Sequence, residues 1–326
     1  MRMVLVVLAS VVCLAQDTSP EKLIEAGHWK RARVLVEARL QVAPLDANAT
    51  FLLSQIRAAF GEREAPVALA EKAVRLDGGV ARYHRQLAEV QGSLAQHANV
   101  FQQIGIARRF RKEIDAAIAL DGRDPQALRD LLEFYLVAPG IAGGDVKKAA
   151  AMADRIAAID ACEGFLAKAR VAEYGKDTKE QHAVLRRAVE AQPGSYKAQI
   201  KLAELCLTPS SRDEGAAEAA ARKAIAIDNG RADAYGVLAA IYAGRANWTA
   251  LEELLSTASA AVPDDLTPYY RAADRLLTDG RDFARAERYL GTYLSQTPEG
   301  NRPTNADAQH KLDLARNGRP RKGVSQ

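Results

Sequence analysis

Between Asp121 and Ala161, apolar positions recur three and four residues apart on both sides of a proline- and glycine-rich turn. Leu128, Leu131, Leu132 and Tyr135 make one face, and Ala149, Met152, Ala153, Ile156 and Ile159 make the other. That period predicts two amphipathic helices joined through Pro139–Gly144. The unit opens at Leu120-Asp121 and closes at Ile159-Asp160, nearly the same pair of residues. A helical hairpin bracketed by recurring punctuation marks a stacked repeat.

The punctuation runs the length of the chain. Second helices are expected to close at Pro44, Gly78, Gly122, Ala161, Pro193, Asn229, Pro263 and Pro298, which are 34, 44, 39, 32, 36, 34 and 35 residues apart. Proline cannot continue a helix, and glycine or asparagine tolerates the left-handed cap that ends one. The packing slots keep the same register. Tyr235, Leu238-Ala239 and Tyr242 precede Trp248 and Ala258 in one unit, and Tyr269, Ala273 and Leu276 precede Phe283, Ala286 and Leu294 in the next. Leu53-Ser54, Leu87-Ala88 and Leu202-Ala203 fill the same slot elsewhere. A large residue beside a small one lets two helices approach closely.

On these residues and this spacing the chain resembles the tetratricopeptide-repeat (TPR) family over most of residues 21–317. The resemblance implies an all-α fold, an α-α superhelical solenoid of about eight TPR-like helical hairpins in which each repeat touches its neighbours. A C-terminal capping helix over Ala306–Arg316 follows the polar break Glu299–Asn305. The first unit fits through Gly27, Trp29, Ala32 and Pro44 but has a short first helix, and Arg39 and Pro66 stand where alanine is usual. The repeat between Gly78 and Gly122 carries about ten extra residues, assigned to Ser93–Arg109 as a hairpin extended by nearly three helical turns. The irregular pair over 80–161 also resembles an uncharacterised group of bacterial exported repeat proteins, through Tyr83, Gly105, Tyr135, Ala138, Pro139, Gly140, Ile141, Gly143 and Gly144. That group brings no chemistry with it.

Outside the repeats, Arg2 followed by the apolar run Val4–Leu14 and by Cys13-Leu14-Ala15 reads as a signal peptide over residues 1–15, cleaved before Gln16. The alternative is a retained anchor, although a run of eleven residues is too short to span a bilayer. Val12 before Cys13 does not suit a lipoprotein. The expectation is therefore an exported protein, periplasmic or extracellular, with a solenoid over 16–317 and a disordered basic tail over 318–326. Export permits a disulfide between Cys162 and Cys206, but Cys206 beside Leu202 and Leu205 reads as a small buried hydrophobe.

Composition narrows the function. Lys and Arg total 45 against 41 Asp and Glu, a formal charge of +4 over 326 residues, which leaves no nucleic-acid footprint. The five histidines are scattered singly, so neither a metal set nor a cofactor is expected. His84, near Arg82, Arg85 and Glu89, reads as a packing residue. A hydrolase hidden in the irregular repeats would need His84 or Glu133, and nothing supports one. The Pro139–Gly144 loop lacks the Gly-Lys-Ser/Thr ending of a phosphate-binding loop and has no strand before it. Its glycines suit a wide turn instead. The run Arg108-Arg109-Phe110-Arg111-Lys112 reads as a solvated face, with contact to an acidic partner or a membrane surface as the sharper alternative. The triplets Asn48-Ala-Thr50 and Asn247-Trp-Thr249 match a glycosylation acceptor only in length and type.

In a stacked solenoid the first helix of each pair lines the concave side. The register places Arg82, Arg85, Glu89, Gln126, Arg129, Glu133, Glu163, Arg170, Glu173, Lys197 and Glu204 there as partner-binding residues. Mixed signs suit an extended peptide or helix rather than a polyanion, and the paired lysines and asparagines of the family's carboxylate clamp are missing. The expected function is a non-catalytic scaffold holding a protein or peptide partner in this groove. The alternative is an accessory or chaperone-like subunit of an envelope enzyme or secretion machine, acting through the hairpin 93–109 and the glycine loop 139–144.

Overall fold

The computed structural model describes residues 19–95 and 98–318. The expected signal peptide, His97 and residues 319–326 of the tail lie outside them. Seventeen α-helices and no strand occur among the described residues. They are α1 (Pro20–Ala26), α2 (Trp29–Val42), α3 (Ala47–Ala59), α4 (Glu64–Leu76), α5 (Ala81–Ala95), α6 (Val100–Leu120), α7 (Pro125–Val137), α8 (Val146–Ala157) and α9 (Ala161–Tyr174), then α10 (Thr178–Ala191), α11 (Tyr196–Leu205), α12 (Glu214–Ile227), α13 (Ala232–Gly244), α14 (Trp248–Ala261), α15 (Thr267–Thr278), α16 (Phe283–Tyr293) and α17 (Asn305–Asn317). Consecutive odd and even helices pair into eight hairpins, and α17 covers the end of the last one.

Helix starts follow from capping chemistry. Asp46, Asp124, Asp145, Asp160, Asp177, Ser195, Asp213, Asn247 and Thr304 each turn a side-chain oxygen onto an exposed amide of the first turn. Helix stops fall two residues before Pro44, Gly78, Gly122, Pro193, Asn229 and Pro263. Two expected stops are corrected. Ala161 begins α9 instead of closing α8, because the Asp160 carboxylate accepts from the Glu163 amide and starts the next helix one residue earlier. α16 ends at Tyr293, before Pro298, where Ser295 donates its hydroxyl back to the Thr292 carbonyl.

The extra residues of the third hairpin fall between the end of α5 and the first half of α6, which at 21 residues is the longest helix. The ring of Phe110 on α6 stacks on Phe134 of α7, with centroids 5.3 Å apart. Pro139–Gly144 forms a short 3-10 turn closed by Gly143 at φ +105°. A Cβ on Gly144 would run into the Ala138 carbonyl, so that glycine permits a backbone-on-backbone approach.

Apolar burial proceeds hairpin by hairpin. Leu128, Leu132 and Ile156 anchor one fully buried cluster, and Leu238, Leu251, Leu276 and Leu290 anchor another nearer the C-terminus. Among the described residues, Cys162 and Cys206 are free and buried in separate clusters, with Cys206 Sγ 3.7 Å from His182 Nε2.

The expectation that each repeat meets only its neighbours holds for these clusters and fails at the ends. The solenoid completes a turn, and its first two hairpins meet the loops after the sixth, seventh and eighth. The Lys30 amide donates to Glu299 Oε1 at 2.6 Å, and Lys30 Nζ donates to the carbonyls of Asp264 (2.6 Å) and Thr297 (2.8 Å). Arg31 holds both oxygens of Asp264, and His28 Nδ1 stands 3.3 Å from Asp264 Oδ2. Asn301 presses on Gly61, and Gly230 lies beside the His28 ring. The bottom edge of one superhelical turn thus rests on the top edge of its start.

Candidate partner-binding groove

The first helices α5, α7, α9 and α11 lie side by side, and their polar faces are tied into a ladder of ion pairs between residues one repeat apart. Glu163 of α9 accepts from Lys197 of α11 at 2.7 and 2.9 Å and meets Arg129 of α7 at 3.3 Å. Glu133 of α7 takes both ends of the Arg170 guanidinium at 2.7 and 2.8 Å, while Arg170 also reaches Glu173 at 3.3 Å. Bidentate pairing of this kind fixes orientation as well as charge. Arg129 further donates to Gln126. Arg85 of α5 stands 3.6 Å from Asp130 and 3.9 Å from each of Glu89 and Asp124, and Glu204 accepts from Lys201 at 3.1 Å.

Of the eleven expected groove residues, Gln126, Arg129, Glu133, Glu163, Arg170, Glu173 and Lys197 are joined by these bonds, and they are not equally free. Arg82 donates to Asn48 and covers the rings of Phe51 and Tyr83, so it joins α3 to α5. Glu89, Glu133 and Glu173 are about half exposed and keep acceptor capacity for a ligand. His84 is a structural clamp. Its Nδ1 sits 2.7 Å from Glu113 of α6 and its Nε2 3.1 Å from the Gly78 carbonyl.

A cavity of about 650 Å³ opens along this face. Arg129, Asp130, Glu133, Arg170, Glu173, Lys176, Lys197, Lys201 and Glu204 form its charged lining, and Leu166, Ala169, Leu185 and Leu205 its apolar lining. A second hollow of about 250 Å³ shares Glu204 and continues past Asp233, Gly236, Val237 and Ala240 to Thr267 and Arg271. The groove thus runs from α7 to α15.

Its electrostatics differ from water. Burial pushes the Asp130 carboxyl up to about 7, and the negative charges of Glu89 and Asp124 push the same way against Arg85 and Arg129. Asp130 Oδ2 is sealed from solvent without a hydrogen bond. Burial, with Arg129 nearby, lowers the Lys197 ammonium, and Glu163 opposes it. Burial also raises Asp233 at the far end. No group of three or more potential metal ligands comes together among the described residues.

Asp130, Lys201, Asp233 and Arg271 escaped the sequence reading. Asp130 carried a usable signal, lying four residues after Gln126 and three before Glu133 on one helix face. Lys201 lies on α11 between the expected Lys197 and Glu204, Asp233 is the one charged residue of the otherwise apolar α13, and Arg271 extends the register to α15.

No family model and no curated protein matches this sequence. Among solved structures the chain is similar to yeast Tom70, with a TM-score of 0.60 and 15% identity over 92% of this chain and 61% of that one. The fold is a TPR solenoid. It is also similar to a thermophilic TPR protein of Thermus thermophilus, with a TM-score of 0.51 and 18% identity over 58% of this chain and 96% of that one. The ion-pair ladder lies on the first helices of successive hairpins, and the long α6 is a second helix.

Proposed function

We propose that the chain is a non-catalytic scaffold, exported from the cytoplasm, that holds an extended protein or peptide segment in the groove between α7 and α15. The observation that carries this reading is the continuous 650 Å³ cavity, whose charged walls are braced by pairs between adjacent repeats. Such bracing pre-orders the surface, so a ligand need not freeze its side chains on arrival. Glu133, Glu173 and Glu204 offer acceptors, and Leu166, Ala169 and Leu205 offer apolar contact between them. A displayed peptide library selected on the protein tests this. Binders should lose about tenfold or more in affinity with Arg170→Glu, and little with Lys179→Glu on the exposed side of α10. Equal losses from both changes would remove the groove from the account. Export is tested separately, by fractionating cells that express the full chain.

A second reading rests on a different surface. Ile141 is 86% exposed at the tip of the glycine loop, Val137 is 59% exposed, and Arg108 and Arg109 of α6 point into solvent. An accessory subunit would dock through this edge. Ile141→Asp should then abolish association with an envelope assembly while leaving selected groove peptides bound.

A further inference from the structure

Where the solenoid meets itself, the contact differs in kind from every contact between adjacent hairpins. Adjacent hairpins share apolar clusters, but among the described residues no cluster contains members of both the first two hairpins and the last three. The seam is held by charge and main-chain polarity. Lys30 and Arg31 from the start of α2 grip Asp264 and Glu299 in the loops after α14 and α16. Arg31 is about half exposed and Lys30 about a quarter, so salt reaches the pairs. Glu299 is almost wholly buried, and taking its charge out of water offsets much of what Lys30 returns. Close approach depends on small residues. A side chain at Gly61 would strike Asn301, and one at Gly300 would meet the Ala59 carbonyl at 3.2 Å.

The seam also has a place in the path to the groove. The edge that closes belongs to the turns inside the first two hairpins, and it rests on the loops between the later ones. Asp264 of the seam stands three residues before Thr267, which lines the far hollow of the groove, so the seam adjoins that end of the groove. We propose that the Lys30–Arg31 to Asp264–Glu299 seam is an ionic gate, whose opening admits a partner chain to the groove. The gate rests on the reading of the groove as the binding surface, but its own test needs no partner.

Nitroxide labels at Glu62→Cys and Arg302→Cys, in a chain with Cys13, Cys162 and Cys206 changed to Ala, report the seam distance by pulsed electron resonance. In low salt a single short distance is expected. In about 1 M salt, where charges are screened beyond roughly 3 Å, the distribution should lengthen and broaden, and Arg31→Glu should do the same in low salt. Arg31→Glu with Asp264→Arg should restore the short distance. Helix content followed by circular dichroism should stay constant throughout. In a second chain, Lys201→Cys in the groove should react with a bulky maleimide-bearing protein several-fold faster when the seam is open, while a small maleimide reacts equally in both states. A seam distance unchanged by salt and by Arg31→Glu overturns the gate. So does a lengthened distance that leaves the bulky reagent's rate unchanged. A seam that opens as described, with selected peptides that bind equally well to the Arg170→Glu chain, would count against the groove reading alone.

Discussion

Three residues without the usual freedom show what the repeat demands of its turns. Lys176 and Ala246 stand at φ +58° and +53°, each just before the residue that caps the second helix of its hairpin. Gly27 occupies the corresponding place before α2 at φ +88°. A left-handed residue there costs a side chain energy that glycine escapes. Ala246→Gly should therefore stabilise the chain by about 0.5–1 kcal/mol, seen as a higher denaturant midpoint, although glycine loosens the unfolded chain. Gly164 shows the opposite constraint. A Cβ there would enter the backbone of Ala157, so Gly164→Ala should destabilise by about 1–3 kcal/mol through overpacking. Asp130 gives a titration test. Burial and neighbouring carboxylates hold it near 7 in the fold, against an ordinary value of 3.8. Below pH 3.8 it is protonated in both states and costs nothing. As pH rises towards 7 the unfolded chain releases the proton first, and folding loses stability. Asp130→Asn should remove that loss, raising stability at about pH 8 by on the order of 2 kcal/mol and hardly at all at about pH 4. Thermal melts at the two pH values decide it.

The helices themselves were legible because each carries its own ends. Capping aspartates and closing Pro, Gly or Asn residues lie within a few residues of the boundaries they set, so local chemistry suffices. The long third hairpin was readable for the same reason, since a repeat with about ten residues too many must put them somewhere. Ala161 misled because alanine neither stops nor starts a helix, and the deciding group was the Asp160 side chain. The packing slots were also local. Leu132 is fully buried between α7 and α8, and Leu132→Ala should cost about 2–5 kcal/mol by leaving a cavity. Because each hairpin leans on the next, the loss should appear as earlier hydrogen exchange in α7 and α8 than in α15 and α16. Uniform exchange along the chain would mean a single cooperative core.

At the scale of the whole molecule, sequence reasoning placed the ion-pairing positions of the first helices and missed the seam. Groove positions recur at the repeat spacing, as in Arg129, Glu163 and Lys197, each 34 residues from the next. Lys30 and Glu299 are 269 residues apart, and no periodic pattern joins them. Their meeting depends on the summed rise and twist of all the intervening hairpins, a property that no single hairpin carries. The seam nevertheless leaves a pH signature. Asp264 is opposed by burial, but its bonds with His28, with its own main chain and with Arg31 hold it down at about 2, against an ordinary 3.8. Burial instead raises Glu299, the other acid facing Lys30, and burial also raises the adjacent Asp265. The depressed acid favours the closed seam fully above pH 3.8 and loses that contribution as pH falls towards 2. The raised acids act the other way, taking up protons in the closed state first, so mild acid does not weaken the seam. Opening should therefore begin only below about pH 4, with Asp264 supplying on the order of 2 kcal/mol of closure above it. Small-angle scattering should show the radius of gyration constant from about pH 7 to 5 and rising between about pH 4 and 2. Asp264→Asn should give the expanded dimension already at about pH 7. A chain that keeps its dimensions until its helices melt would place the closing energy in contacts other than this carboxylate.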